Sequence, residues 1–206
     1  AATSTLTFNG SANQSLSIGT YTGTIVSNLV SSNTFATSGL SIAANLTVGA
    51  LTLNAGGYIL INSGITLSVN GNVSNAGTLM TNTAPSTLAM TGTTAQTISG
   101  GGVFSVGGTA GRMNNFTINN TSGANPAVSM NVNLAIVTGL NLTTGILGGS
   151  GTLTIGVAAT PVTTTRDVGS LANVPTFGYT TGAYGITDTG TTAAAVISKT
   201  SISLTS

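Results

Sequence analysis

Apolar and small polar residues alternate with period two along almost the whole of this chain. The pattern is plain in "STLTFNG" (4–10), "NLTVGALTLNAGG" (45–57), "GITLSVNGNV" (64–73), "GTLTIGV" (151–157) and "SISLTS" (201–206). Successive side chains of a strand point to opposite faces, so each such segment has one apolar and one polar face. Helix signals are scarce: Glu is absent, Lys and Arg together number 3, and Leu, Val, Ile and Thr dominate. The 29 glycines, with Asn-Gly pairs at Asn9-Gly10 and Asn70-Gly71, punctuate the strands, about every ten residues. An all-β fold follows.

The chain also repeats itself. "SANQSLSIG" (11–19) returns as "TTAQTISGG" (93–101), each preceded by a short alternating run, so that Leu6, Gly10, Gln14 and Ser17 match Leu88, Gly92, Gln96 and Ser99. Further on, "SIAANLTV" (41–48) matches "SMNVNLAI" (129–136), "LTLNAG" (51–56) matches "LNLTTG" (140–145), and "SGITLSV" (63–69) matches "SGTLTI" (150–155). The copies cover about residues 6–69 and 88–156. Within each copy, strand-length units separated by Gly, Asn or Ser suit coils of roughly 20 residues. A parallel β-solenoid is therefore expected for residues 1–157, with inward Leu, Val and Ile forming a dry stripe and outward Thr, Ser and Asn forming ladders. The alternative architecture is a β-sandwich that exchanges terminal strands.

Charge supports stacking. Charged residues make up 2% of the chain, the first 111 residues carry none, and the net charge is +1. Stacked coils place equivalent positions directly above one another, where like charges repel and short neutral side chains can hydrogen-bond along the stack. From Val157 onward the composition changes: Pro161, "TTTRDVG" (163–169), Pro175, Phe177, Tyr179 and Tyr184 fall here, with four of the five charges. Residues 158–206 are read as a distinct cap or extension, because terminal repeats need a different outer face. The final run "AAVISKTSISLTS" (194–206) is expected to form a strand suited to pairing with a neighbouring subunit.

The order "L-x-[FM]-x-G-x-x-x-Q-[ST]-[LI]-S", "MNNFTINNTSG", "NVNLAIVTGLNLTTGIL", "GTLTIG" resembles repeat modules of large secreted and cell-surface proteins of Bacteroidetes-type bacteria. The resemblance covers residues 88–156 well and 6–69 more loosely. It implies a β-solenoid, an extracellular location and a structural or adhesive role, and brings no catalytic residue with it. The tail "SLTS" departs from the Lys-containing sorting domain such proteins often bear. The opening "AATST", with no Met and no hydrophobic leader, fits a mature secreted protein.

Several function classes are disfavoured by what the chain lacks. Without a basic patch there is nothing to release counterions from nucleic-acid phosphates or to dock on an anionic membrane. No apolar run approaches the roughly 20 residues of a membrane-spanning helix, and nine aromatics without Trp are too few for the girdles of a membrane barrel. With neither His nor Cys, the usual zinc, iron and copper ligands are missing, as is the base of a Ser-His-Asp triad. Lys199, the single lysine, reads as a solvated residue blunting a strand edge, and Asp167 beside Arg166 reads as half of a local charge pair rather than as one of two catalytic carboxylates with Asp188. "SGGGVFSVGG" (99–108) lacks the lysine of a phosphate loop and reads as a turn. The sequons at Asn45, Asn115, Asn119, Asn120 and Asn141 follow from composition. Thr-x-Thr pairs (Thr5/Thr7, Thr22/Thr24, Thr91/Thr93) would build an ice-binding face only with one pair per coil in constant phase, and none is visible. Catalytic, metal and cofactor-binding residues are accordingly expected to be none. The expectation is a non-enzymatic extracellular protein that assembles with copies of itself into a surface filament or layer; the alternative is a monomeric adhesin module that binds a surface glycan, with Tyr179 and Tyr184 as stacking rings.

Overall fold

The computed structural model describes residues 4–17, 26–157, 162–172, 176–177 and 185–188. These residues form strands, turns and corners with no helix, and the strands pair in parallel to build a β-solenoid of about seven turns. The chain visits three stacks of strands in cyclic order, so each strand hydrogen-bonds to the strand one coil before it and one coil after it. Stack A runs from Thr5–Phe8 through 28–31, 50–53, Val73–Asn75, Gln96–Ser99, Val128–Met130 and Ile146–Gly148 to Ser170–Leu171. Stack B runs from Gln14–Leu16 through Leu40–Ile42, Tyr58–Ile61 and Thr78–Thr81 to Val103–Val106. Stack C holds 46–48, Thr66–Val69, Thr87–Met90, 115–118, 139–142, Thr163–Arg166 and Gly185–Asp188. Four longer strands, Val26–Ser31, Leu46–Leu53, Arg112–Asn119 and Leu134–Thr144, bend round a corner and serve two stacks each.

Stack B is interrupted once. After Val103–Val106 the chain turns back at Gly107 and Gly108, both with positive φ, and Thr109–Ala110 pairs antiparallel with the strand it has just left. A left-handed backbone of this kind suits glycine because a Cβ would clash. The Gly-rich stretch 99–108 thus makes a corner and a hairpin turn, as its sequence suggests. Beyond it the B position is taken by 112–113, 134–136, Leu153–Ile155 and Thr176–Phe177, again in parallel.

In-register stacking turns the period-two pattern into continuous ladders. In stack A, Leu6, Leu29, Leu51, Val73, Ile98 and Met130 lie one above another. Stack B contributes Leu40, Ile59, Leu79 and Phe104, and stack C contributes Leu46, Leu67, Leu88, Phe116 and Leu140. Most are fully buried, and they merge into one core that runs the length of the described chain. Each buried Leu, Ile or Phe contributes about 1.5–3 kcal/mol, so stability is spread along the stack. The first coil is the exception: Leu6 and Phe8 are only half-buried, because no described coil lies beneath them.

Beyond Val157 the described strands keep to the same stacks. Thr163–Arg166, Ser170–Leu171, Thr176–Phe177 and Gly185–Asp188 continue all three stacks in parallel. The expected terminal strand at 194–206 lies outside the described residues.

The duplication acquires a geometric meaning in this frame. The first copy's opening phrase follows a stack A strand (Thr5–Phe8), whereas its second copy follows a stack C strand (Thr87–Met90), three full turns and two faces further along. The other three matched blocks show the same displacement, 51–56 in stack A against 140–145 in stack C among them. What repeats is therefore a set of corners, transferred round the solenoid by two faces beyond three full turns, and not a whole number of coils.

Candidate functional site

The two matched Gly-x-x-x-Gln phrases close their corners by the same bonds. Gly10 N–H donates to Gln14 Oε1 at 3.3 Å, and Gly92 N–H donates to Gln96 Oε1 at 3.0 Å. Glutamine reaches back four residues, and its carboxamide can accept on one atom while donating from the other, which neither a carboxylate nor an ammonium can do. Glycine is fitting at the start of the loop because a Cβ on Gly92 would lie 2.8 Å from Gln96 Cδ and 2.4 Å from Asn70 O of the coil beneath.

An asparagine from the next coil then locks each corner. Asn33 Nδ2 donates to Ala12 O and to Gln14 Oε1, both at 2.8 Å, while Asn33 Oδ1 accepts from Phe35 N–H at 2.9 Å. Asn120 repeats this: its Nδ2 donates to Thr94 O and Gln96 Oε1, both at 2.8 Å, and its Oδ1 accepts from Ser122 N–H at 2.8 Å. Both asparagines are fully buried. Sequence reasoning missed them, because unequal corner lengths put Asn33 and Asn120 at different distances from their glutamines; the available signal was the shared Asn-Thr pair after a strand. Burial with its amide engaged also removes Asn120 as a glycan acceptor.

Elsewhere, asparagine side chains bridge consecutive coils. Asn45, Asn72 and Asn133 Oδ1 accept from Thr66, Thr97 and Thr152 N–H at 2.8, 2.9 and 2.9 Å. Asn54 Nδ2 donates to Ser32 Oγ at 2.8 Å, and Thr91 Oγ1 donates to Asn70 Oδ1 at 2.7 Å. These are the expected neutral ladders.

The outer face of stack C carries two parallel files of small residues. One holds Thr66, Thr87, Asn115, Gly139 and Thr163; the other holds Thr47, Ser68, Ala89, Thr117, Asn141 and Thr165. Where Gly139 interrupts the first file, a depression of about 280 Å³ opens, lined by Thr and Asn side chains around Leu140. It offers neutral donors and acceptors and no ionisable group. Among the described coils of this stack only 163–165 presents a Thr-x-Thr pair. Thr5 and Thr7 belong to stack A, Thr91 and Thr93 to a corner, and Thr22 and Thr24 lie outside the described residues, so these pairs do not share one face.

Among the described residues the charged side chains are few and lie on different elements. Arg112 begins a strand, and Asp167 is exposed at a corner. Arg166, 7% exposed, occupies the inward ladder of Val48, Val69, Met90, Ile118 and Leu142, and its backbone is in register with Asp188 of the next coil. Arg166 is thus buried where its neighbour Asp167, just past the strand end, is exposed. Among the described residues no group of three or more His, Cys, Asp or Glu gathers as a metal site, and no helix is long and apolar enough to cross a membrane. Lys199, Tyr179 and Tyr184 lie outside the described residues. In comparisons with protein-family models, curated proteins and solved structures, nothing matches the chain.

Proposed function

We propose that this is a non-enzymatic, extracellular structural protein that stacks with copies of itself into a surface filament or layer. The observation that carries the reading is the first coil. Its strands Thr5–Phe8 and Gln14–Leu16 pair on one side only among the described residues, and Leu6 and Phe8 are half-buried where the next rung, Leu29, is fully buried. An unprotected parallel edge is a template for another strand, and monomeric proteins usually blunt it with charge. Here no Asp, Glu, Lys or Arg occurs before Arg112. The same neutrality that allows coil to stack on coil within one chain allows it between chains. Size measurement under non-denaturing conditions tests this: polymers that persist in detergent and heat support it, whereas a single 20.0 kDa species contradicts it.

The Thr- and Asn-lined depression around Gly139 favours a second reading, a monomeric adhesin module that holds a neutral surface glycan there. Glycan affinity in a chain that stays monomeric, abolished by filling the depression with Gly139→Leu, would select it.

A further inference from the structure

The duplicated corner supplies an internal control for the first described coil. In the second copy Gln96 is 1% exposed and uses its whole carboxamide: besides the two bonds to Oε1, its Nε2 donates to Val69 O at 2.8 Å and Gly71 O at 2.5 Å. Both carbonyls belong to the coil beneath, one at the end of strand Thr66–Val69 and one two residues on. In the first copy Gln14 Oε1 receives the same two donors, but Gln14 Nε2 has no hydrogen-bond partner among the described residues. Gly10 shows the same vacancy in steric terms. The three atoms nearest a Cβ there belong to the side chains of Gln14 and Asn33, at 3.0–3.3 Å, whereas Gly92 is pressed by Asn70 O from below at 2.4 Å. The φ of Gly10 is not positive, so its backbone conformation does not require glycine.

We infer that the first described coil is a receiving surface for a coil of a second copy of this chain, with Gln14 Nε2 donating to two of its carbonyls and Gly10 leaving room for its backbone. This rests on the self-stacking reading above and names the contact that sets its register. Gln96 defines what the occupant must be: a parallel coil offering the carbonyl that ends a strand and the carbonyl two residues later. The chain's own strands Ser170–Leu171, Thr176–Phe177 and Gly185–Asp188 prolong the same three stacks in the same direction. A second copy displaced along the stack axis therefore brings a coil of the required kind beneath residues 5–16. The contact joins different surfaces of the two copies, so it propagates into a filament instead of closing a dimer.

Gln14→Glu tests the contact. The carboxylate keeps both acceptor bonds, from Gly10 N–H and Asn33 Nδ2, but loses the donor and turns a negative charge toward the incoming carbonyls. Sedimentation velocity at pH 7 should show the polymer fraction falling at least tenfold relative to wild type, with an unchanged circular dichroism spectrum. Assembly should return near pH 3.5, below the reference Glu value of about 4.3, where the protonated carboxyl donates again. Should Gln14→Glu not fold, Gln14→Ser, too short to reach a neighbouring coil, decides in its place. Polymer formation by the folded variant as in wild type overturns this inference and leaves self-stacking intact. A wild-type chain that sediments only as a 20.0 kDa species overturns both.

Discussion

Replacing each of the two corner glutamines by leucine should give very different losses of stability, although sequence context makes the two positions equivalent. Gln96→Leu removes four hydrogen bonds at once. Val69 O keeps Thr91 N–H and Asn120 Nδ2 keeps Thr94 O, but Gly92 N–H and Gly71 O each lose the carboxamide they were bonded to. A buried group left unpaired costs about 1–3 kcal/mol and a weakened bond about 0.5–1.5 kcal/mol, so the sum over two of each is about 3–9 kcal/mol. Gln14→Leu removes only the 3.3 Å bond from Gly10 and one of two bonds of Asn33 Nδ2, at a half-buried corner that water can reach. Its loss should be about 0.5–1.5 kcal/mol. Urea denaturation of dilute, dispersed protein followed by circular dichroism compares the two, and hydrogen exchange at the Gly92 amide reports the site directly. Solenoids can unfold in sections, so the exchange rate is the sharper readout. Equal losses at the two positions would refute the claim that only Gln96 has a coil beneath it.

Three further perturbations probe the stacking. Gly92→Ala should destabilise by several-fold more than Gly10→Ala in dispersed protein, because only Gly92 faces a backbone oxygen, Asn70 O, at 2.4 Å from the added Cβ; parallel urea midpoints check this. Phe116→Ala, in the centre of the stack C ladder and fully buried, should cost about 3–5 kcal/mol, measured in the same way. Thr117→Lys with Asn141→Lys places two ammonium groups at positions in register on adjacent coils; the pair should be worse than the sum of the singles by about 0.5–1 kcal/mol, fading in 1 M salt, while Thr117→Lys with Asn141→Asp should show no such excess.

The parallel stacking was legible in the sequence because alternation and neutrality are local properties that every rung must satisfy, from "STLTFNG" to "GTLTIGV". The four matched blocks were visible for the same reason. Their displacement by two faces was not, since a corner at residues 9–13 and another at 91–95 need the same bonds whichever two stacks they join. Asn33 and Asn120 escaped notice because their partners come from the preceding coil, across corners of unequal length. Beyond the composition break at Val157, read as the start of a cap or extension, described strands through Asp188 continue the stacks: inward positions fix the stacking, and Thr164 and Arg166 fill places that leucine fills one coil earlier.

The central claim is that one coil lies on another within and between chains. X-ray fibre diffraction from aligned purified protein, with electron micrographs of the same material, tests it most directly. Filaments a single solenoid wide, with an axial reflection at about 4.8 Å, are the predicted result. Dispersed particles of one chain each, giving no axial reflection, would contradict it.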